Sequence, residues 1–193
     1  MTTRFYSLLL LRTSIATTLA LLLIVVTTAL ALAHDPASIA EIPSRVMIPS
    51  IDLDSAVIPV GVKPLIINGQ TYGTWEVAKN EVGWHNLSAT LGQVGNTVLA
   101  GHSNARARIF QNLRYISLGD EIIVQSGSAG EAHRYIVTEK FLVQEVGVSL
   151  DTRIKNAQLI APTQDERLTL VTCARPGATH RLIVVARPVS TDE

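Results

Sequence analysis

The chain has 193 residues, a single cysteine, five histidines, and 16 basic against 16 acidic side chains. One thiol excludes an internal disulfide, and a neutral balance with no basic cluster argues against a nucleic-acid partner. Aromatic residues make up only 5%, so runs of Val, Ile, Leu and Thr dominate and favour a β-rich fold.

The first twelve residues carry Arg4 and Arg12 and no acid, and Ser14 to Ala33 is uncharged and mostly apolar. At ~1.5 Å rise per residue, about 20 helical residues span ~30 Å, the hydrocarbon thickness of a bilayer. Residues 1–33 therefore read as a cytoplasmic n-region and a signal or anchor helix, with the rest of the chain outside the cytoplasm. Ala29-Leu30-Ala31 and Ala31-Leu32-Ala33 are both Ala-x-Ala sites. The apolar run is longer than a signal-peptide core, which favours an uncleaved single-pass anchor over secretion after cleavage. His34 to Ser44 is polar and punctuated by proline and reads as a linker.

Beyond the linker, residues 45–193 read as one domain, about 150 residues long and large enough for a real core. Arg45 to Pro49 and Ala56 to Val60 are strand candidates whose prolines suggest edges or bulges. Ile66-Ile67 and Tyr72 to Val77 flank Asn68-Gly69, a tight-turn signal. Asn80 to Gln93 has no clean period and reads as a loop holding Trp84 and His85. Thr97 to Ala100 is an apolar strand leading to Gly101-His102-Ser103. Arg108 to Leu118 suits a short helix or turn, Glu121 to Gln125 and Arg134 to Val143 suit strands, and Ser149 to Ala157 suits a short helix or loop. Short strands at regular intervals, with little helix, point to a closed β-barrel or sandwich.

The C-terminal part carries the chemistry. Arg167-Leu168-Thr169-Leu170-Val171-Thr172-Cys173 reads as a buried strand delivering the cysteine at its end. Pro176-Gly177 marks a turn, and His180 to Ala186 reads as a returning strand with Arg181 near its start. A lone cysteine with a distant histidine is the pattern of a nucleophile and its proton partner. A free thiol titrates near ~8.5 and imidazole near ~6.5, so His102 suits the partner's role. A lone cysteine is equally compatible with a small buried hydrophobe. The remaining histidines are weaker candidates. His34 lies in the linker, His133 at a turn-to-strand boundary, and His180 tends to face away from Arg181; His85 reads as a loop residue near the site's mouth, packed on an aromatic. No His-Glu-x-x-His spacing or calcium loop is present, Asp120, Glu121 and Glu131 included, so no metal or other cofactor is expected.

The constellation resembles the sortases, the surface cysteine transpeptidases of bacteria. Thr169-Leu170-Val171-Thr172-Cys173 matches their Thr-Leu-x-Thr-Cys motif, Ala100-Gly101-His102-Ser103 resembles their histidine motif, and Arg181 stands where their arginine lies. The resemblance runs from roughly Arg45 to Val189 and looks more like classes D, E or F than the wall-anchoring class. It implies a sortase-type barrel of about eight strands with a few short helices. It further implies Cys173, His102 and Arg181 as catalytic residues. Thr172 is a lesser candidate for touching substrate. The implied reaction cleaves a sorting signal on a surface protein or pilin and passes the acyl group, through a thioester, to an amine of the cell wall or another pilin. Two other readings compete. An L,D-transpeptidase would carry His-Gly-Cys at its cysteine, and Val171 stands two residues before Cys173 here. A membrane-anchored β-barrel binding module would hold an inert thiol.

Overall fold

A computed structural model describes residues 41–67, 69–104, 107–127, 131–174 and 178–189. The apolar segment 14–33 lies outside the described residues, and among the described ones no helix is long and apolar enough to cross a membrane.

Among the described residues ten strands follow one another: β1 Pro43–Ile48, β2 Leu53–Val60, β3 Val62–Ile67, β4 Gln70–Trp75, β5 Val82–His85, β6 Gly95–Gly101, β7 Glu121–Ser126, β8 Glu131–Gln144, β9 Glu166–Ala174 and β10 His180–Pro188. Eight of them close a barrel in the order β1-β2-β5-β6-β9-β10-β8-β7, and β3 with β4 forms a separate hairpin. The expected closed β-barrel is therefore observed. Closure removes free sheet edges and leaves one continuous interior.

Alternation decides what fills that interior. In β2, Leu53, Ser55 and Val57 are buried while Asp54, Ala56 and Ile58 face water. In β7, Ile122, Val124 and Ser126 point in. Together with Val46, Ile48, Leu91, Leu99, Tyr135, Leu168, Leu170 and Val184 they make the core. Phe110, Leu113 and Ile116, from the loop between β6 and β7, are also fully buried. That segment, read as a short helix or turn, is a run of turns with a 3-10 helix at Leu113–Tyr115. The segment after β8, read as a short helix or loop, is the helix α1, Leu150–Ala157. Ser149 caps it by accepting from the Thr152 N–H, and Asp151 and Lys155 complement its dipole.

Three expectations need adjustment. Asn80–Gln93 is not all loop, because β5 lies within it. All four β5 residues are buried, so the strand shows no in-out alternation and is too short for a run to stand out. Barrel pairing begins before Arg45, with a Glu41↔Leu91 bridge and β1 opening at Pro43. β8 starts three residues earlier than expected, which places His133 within the strand and across from Val124.

Candidate active site

β6 and β9 run parallel and in step, from Gly95↔Glu166 to Gly101↔Thr172. The chain therefore leaves both strands at the same end of the barrel. His102 directly follows Gly101, and Cys173 directly follows Thr172. β10 returns antiparallel to β9 with Arg181 across from Cys173. Cross-strand partners hold their Cα atoms about 4.5–5.5 Å apart and present side chains to the same face. Leu168 and Leu170 point into the core, as do Leu182, Val184 and Ala186. Alternation then turns Cys173 and Arg181 together onto the outer face. The sequence expected a thiol at the end of one arm and a guanidinium at the start of the next, and that is the geometry observed.

Two hydroxyls bind the strand ends. Thr172 Oγ1 donates to the Gly101 carbonyl at 2.7 Å, and Ser103 Oγ donates to the Cys173 carbonyl at 2.5 Å. The Phe110 N–H donates to the His102 carbonyl at 2.8 Å. The backbone carrying the imidazole is thus fixed to the strand carrying the thiol from both sides. Gly101 is required for this. A Cβ there would lie 2.7 Å from Ile109 Cγ2 and 2.9 Å from Phe110 Cδ2, so only glycine lets the returning loop seat Phe110 against the end of β6.

Cys173, His102 and Arg181 are each partly exposed. Arg181 Nη1 donates to the carbonyls of Ala178 and His180, both at 3.2 Å. Among the described residues no carboxylate lies within 4 Å of its guanidinium. A cleft of about 290 Å³ opens beside Cys173. The loop after β6 supplies Ser103, Asn104, Arg108, Gln111 and Arg114, and β9 and β10 supply Thr172, Ala174 and Leu182. His102 and Arg181 are not among its described lining residues. Thr172 borders the cleft, but it is buried and spends its hydroxyl on Gly101.

The other histidines are placed elsewhere. β5 pairs antiparallel with β6, Gly83↔Ala100 and Trp84↔Leu99, so it runs away from the Cys173 end. His85, expected near the mouth, is the last residue of β5 and is buried. Aromatic packing is indeed its setting, against Trp75 of the hairpin, with ring centroids 4.1 Å apart and planes 7° from parallel. Burial pushes its pKa down to about 4. His133 meets Glu41 Oε2 at 2.5 Å, and His180 Nδ1 meets Thr179 Oγ1 at 2.9 Å. The Ser126 hydroxyl first, and then His133, hold the Glu41 carboxyl below its ordinary pKa.

Sequence reading did not find Ser103, Arg108 or Arg114. The one available signal was a hydroxyl directly after Gly101-His102. The two arginines lay in a segment read only as a short helix or turn, with nothing to relate it to Cys173.

A closed barrel with a partly exposed thiol and a partly exposed guanidinium across a strand pair, and an imidazole one residue beyond the matched strand, defines a thiol-presenting barrel suited to acyl transfer. The sortase-domain family model matches residues 46–189, and the chain belongs to the sortase family, which are cysteine transpeptidases. Sortase A from Corynebacterium diphtheriae, as a lid mutant, superposes with a TM-score of 0.58 at 24% identity, covering 82% of this chain and 76% of its own. A sortase D5 transpeptidase from Clostridium perfringens gives 0.56 at 21%, covering 77% and 79%. Sortase C1 from Streptococcus agalactiae gives 0.55 at 21%, covering 81% and 72%. These likenesses establish the fold, and they span classes A, C and D at nearly equal scores. No curated protein matches the chain.

Proposed function

We propose that this chain is a membrane-anchored transpeptidase that cleaves a sorting signal on a surface protein or pilin and joins the acyl fragment to an amine of the cell wall or of another pilin. The observation that carries this reading is the strand register, which brings Cys173, Arg181 and the residue after Gly101 to one end of the barrel.

Cys173 attacks the scissile carbonyl as a thiolate, and a C–S bond forms to give a tetrahedral oxyanion. Arg181, with a permanent charge and a planar set of donors, stabilises that oxyanion or holds the carbonyl oxygen. The C–N bond then breaks. His102, as imidazolium, gives its proton to the departing amine and leaves a thioester on Cys173. An incoming amine attacks the thioester and loses a proton to His102, and collapse returns the thiolate and releases the new amide. Water in place of the amine gives hydrolysis. Residues 14–33 span the membrane once and keep this domain on the outer side.

Incubation with a pool of sorting-signal peptides, followed by intact mass spectrometry, tests the reading. Wild type is expected to gain the mass of an acyl fragment, and Cys173→Ala is not. Absence of an adduct across a broad pool, with Cys173 unreactive toward a small electrophile in the folded protein, would leave the binding-module reading instead.

A further inference from the structure

The cleft beside Cys173 carries a charge pattern that the reaction above does not use. Arg108 and Arg114 both line it, and its other described lining residues include no acid. Among the described residues no carboxylate lies within 4 Å of either guanidinium. Arg108 also borders a shallower depression with Asp52 and Asp54, but the Asp54 carboxylate is engaged at both oxygens by Arg45, at 2.7 and 2.5 Å. Arg114 donates to the Tyr115 hydroxyl at 2.7 Å and lies 4.5 Å over that ring, which orients the guanidinium without neutralising it.

Both arginines stand on backbone that the fold holds in place. Arg108 adopts φ 53°, a left-handed conformation that a long side chain rarely takes, and its carbonyl accepts from the Gln111 N–H at 2.8 Å. Lys140 Nζ donates to the carbonyls of Arg114 and Ile116 at 2.7 and 2.8 Å and pins that stretch to β8. Asn104 and Gln111 add neutral polar groups to the same walls. Two arginines without a carboxylate partner among the described residues, on the walls of one cleft of mixed polar and apolar lining, suit a carboxylate, which a guanidinium takes through paired N–H donors.

We infer that this cleft is an anion subsite that seats a carboxylate of the peptide substrates next to Cys173, with Arg108 and Arg114 as its specificity-determining residues. The inference rests on the transpeptidase reading for the identity of the ligand, but not for the charge selectivity of the cleft. The carboxylate has two possible sources: an acidic side chain beside the scissile bond, or a carboxylate on the incoming amine.

The first experiment needs no turnover. Cys173 is the only thiol in the chain, so its modification can be followed in the full chain in detergent micelles. Methanethiosulfonates bearing a sulfonate, a trimethylammonium or a plain methyl group are compared. In each, the thiolate attacks the sulfenyl sulfur, a disulfide forms and a sulfinate leaves. The methyl reagent reports the thiol itself. The anionic reagent should outpace the cationic one in wild type, and the ratio should fall about tenfold in Arg108→Gln/Arg114→Gln. It should persist in Arg108→Lys/Arg114→Lys and shrink in wild type at high salt. A ratio unchanged in the Gln double variant, with the methyl rate also unchanged, overturns the subsite.

The second experiment finds the source. One series sets Glu against Gln beside the scissile bond, and the other sets amine acceptors with a free carboxylate against their amides. A carboxylate preference in one series that disappears in the Gln double variant supports the assignment and names its source. Equal rates within both series overturn it. Failure of every peptide to react would count against the transpeptidase reading, while the reagent ratio still decides whether the cleft selects anions.

Discussion

Three small residues do much of the positioning at the candidate site. Ser103 reaches the Cys173 carbonyl, Thr172 reaches the Gly101 carbonyl, and Gly101 itself makes room for Phe110. Ser103→Ala should cost about 1 kcal/mol of stability, the usual net worth of one such bond. It should also slow acyl-adduct formation without abolishing it; denaturant midpoints and a time course of the adduct check both. Gly101→Ala forces a methyl against Ile109 and Phe110 and should cost about 1–3 kcal/mol in a thermal melt. Unchanged melting would show that the loop moves aside freely. At this scale the sequence was partly legible. Cys173, His102 and Arg181 stand out because their local strings are distinctive. Ser103 does not, because its partner is 70 residues away in the chain, and no local pattern encodes that meeting. The two cleft arginines are hidden for the same reason, since their relation to Cys173 exists only once the loop has folded back.

Among the elements, β6, β9 and β10 were readable from their apolar and β-branched runs, and the β3–β4 hairpin from Asn68-Gly69. β5 was not, and His85 shows why its placement matters. Stacked on Trp75 and buried, its ring is held neutral, with a pKa of about 4, against about 6.5 in an unfolded chain. Between those values the unfolded chain holds a proton that the folded one lacks. Stability from this group is therefore intact above about pH 6.5 and falls as pH drops toward 4, by up to roughly 3 kcal/mol. His85→Phe keeps an aromatic face on Trp75 and should remove that part of the slope. Urea midpoints of both proteins at pH 7, 5.5 and 4.5 check it, and equal slopes would show that His85 is not the group responsible. The same substitution should leave Cys173 reactivity at pH 7 unchanged, because β5 runs away from that end of the barrel.

For the molecule as a whole, the described residues from Val46 to Ala186 form a continuous core of their own. A chain reduced to residues 34–193 should therefore stay soluble and unfold in a single cooperative transition, with near-UV circular dichroism and denaturant curves coinciding. Insoluble or non-cooperative material would mean that the apolar segment contributes to folding. Closing the barrel requires β1 to find β7 and β6 to find β9 across long stretches of chain. Refolding dominated by such distant pairings belongs in the millisecond-to-second range, and stopped-flow fluorescence of buried Trp84 can follow it.

The step-for-step match between β6 and β9 also sets what length changes the gene can absorb. Seven consecutive residues of one strand pair with seven of the other, and side chains alternate faces with a period of two. Deleting or inserting one residue within either run would turn the residue after Gly101, or Cys173, to the opposite face. The intervening chain, from the loop after β6 to the turn before β9, sets no such phase between the two strands. Lineages of this protein should therefore differ in length in the connections of that interval, outside β7 and β8 with their own registers, and stay constant in length along the two matched runs.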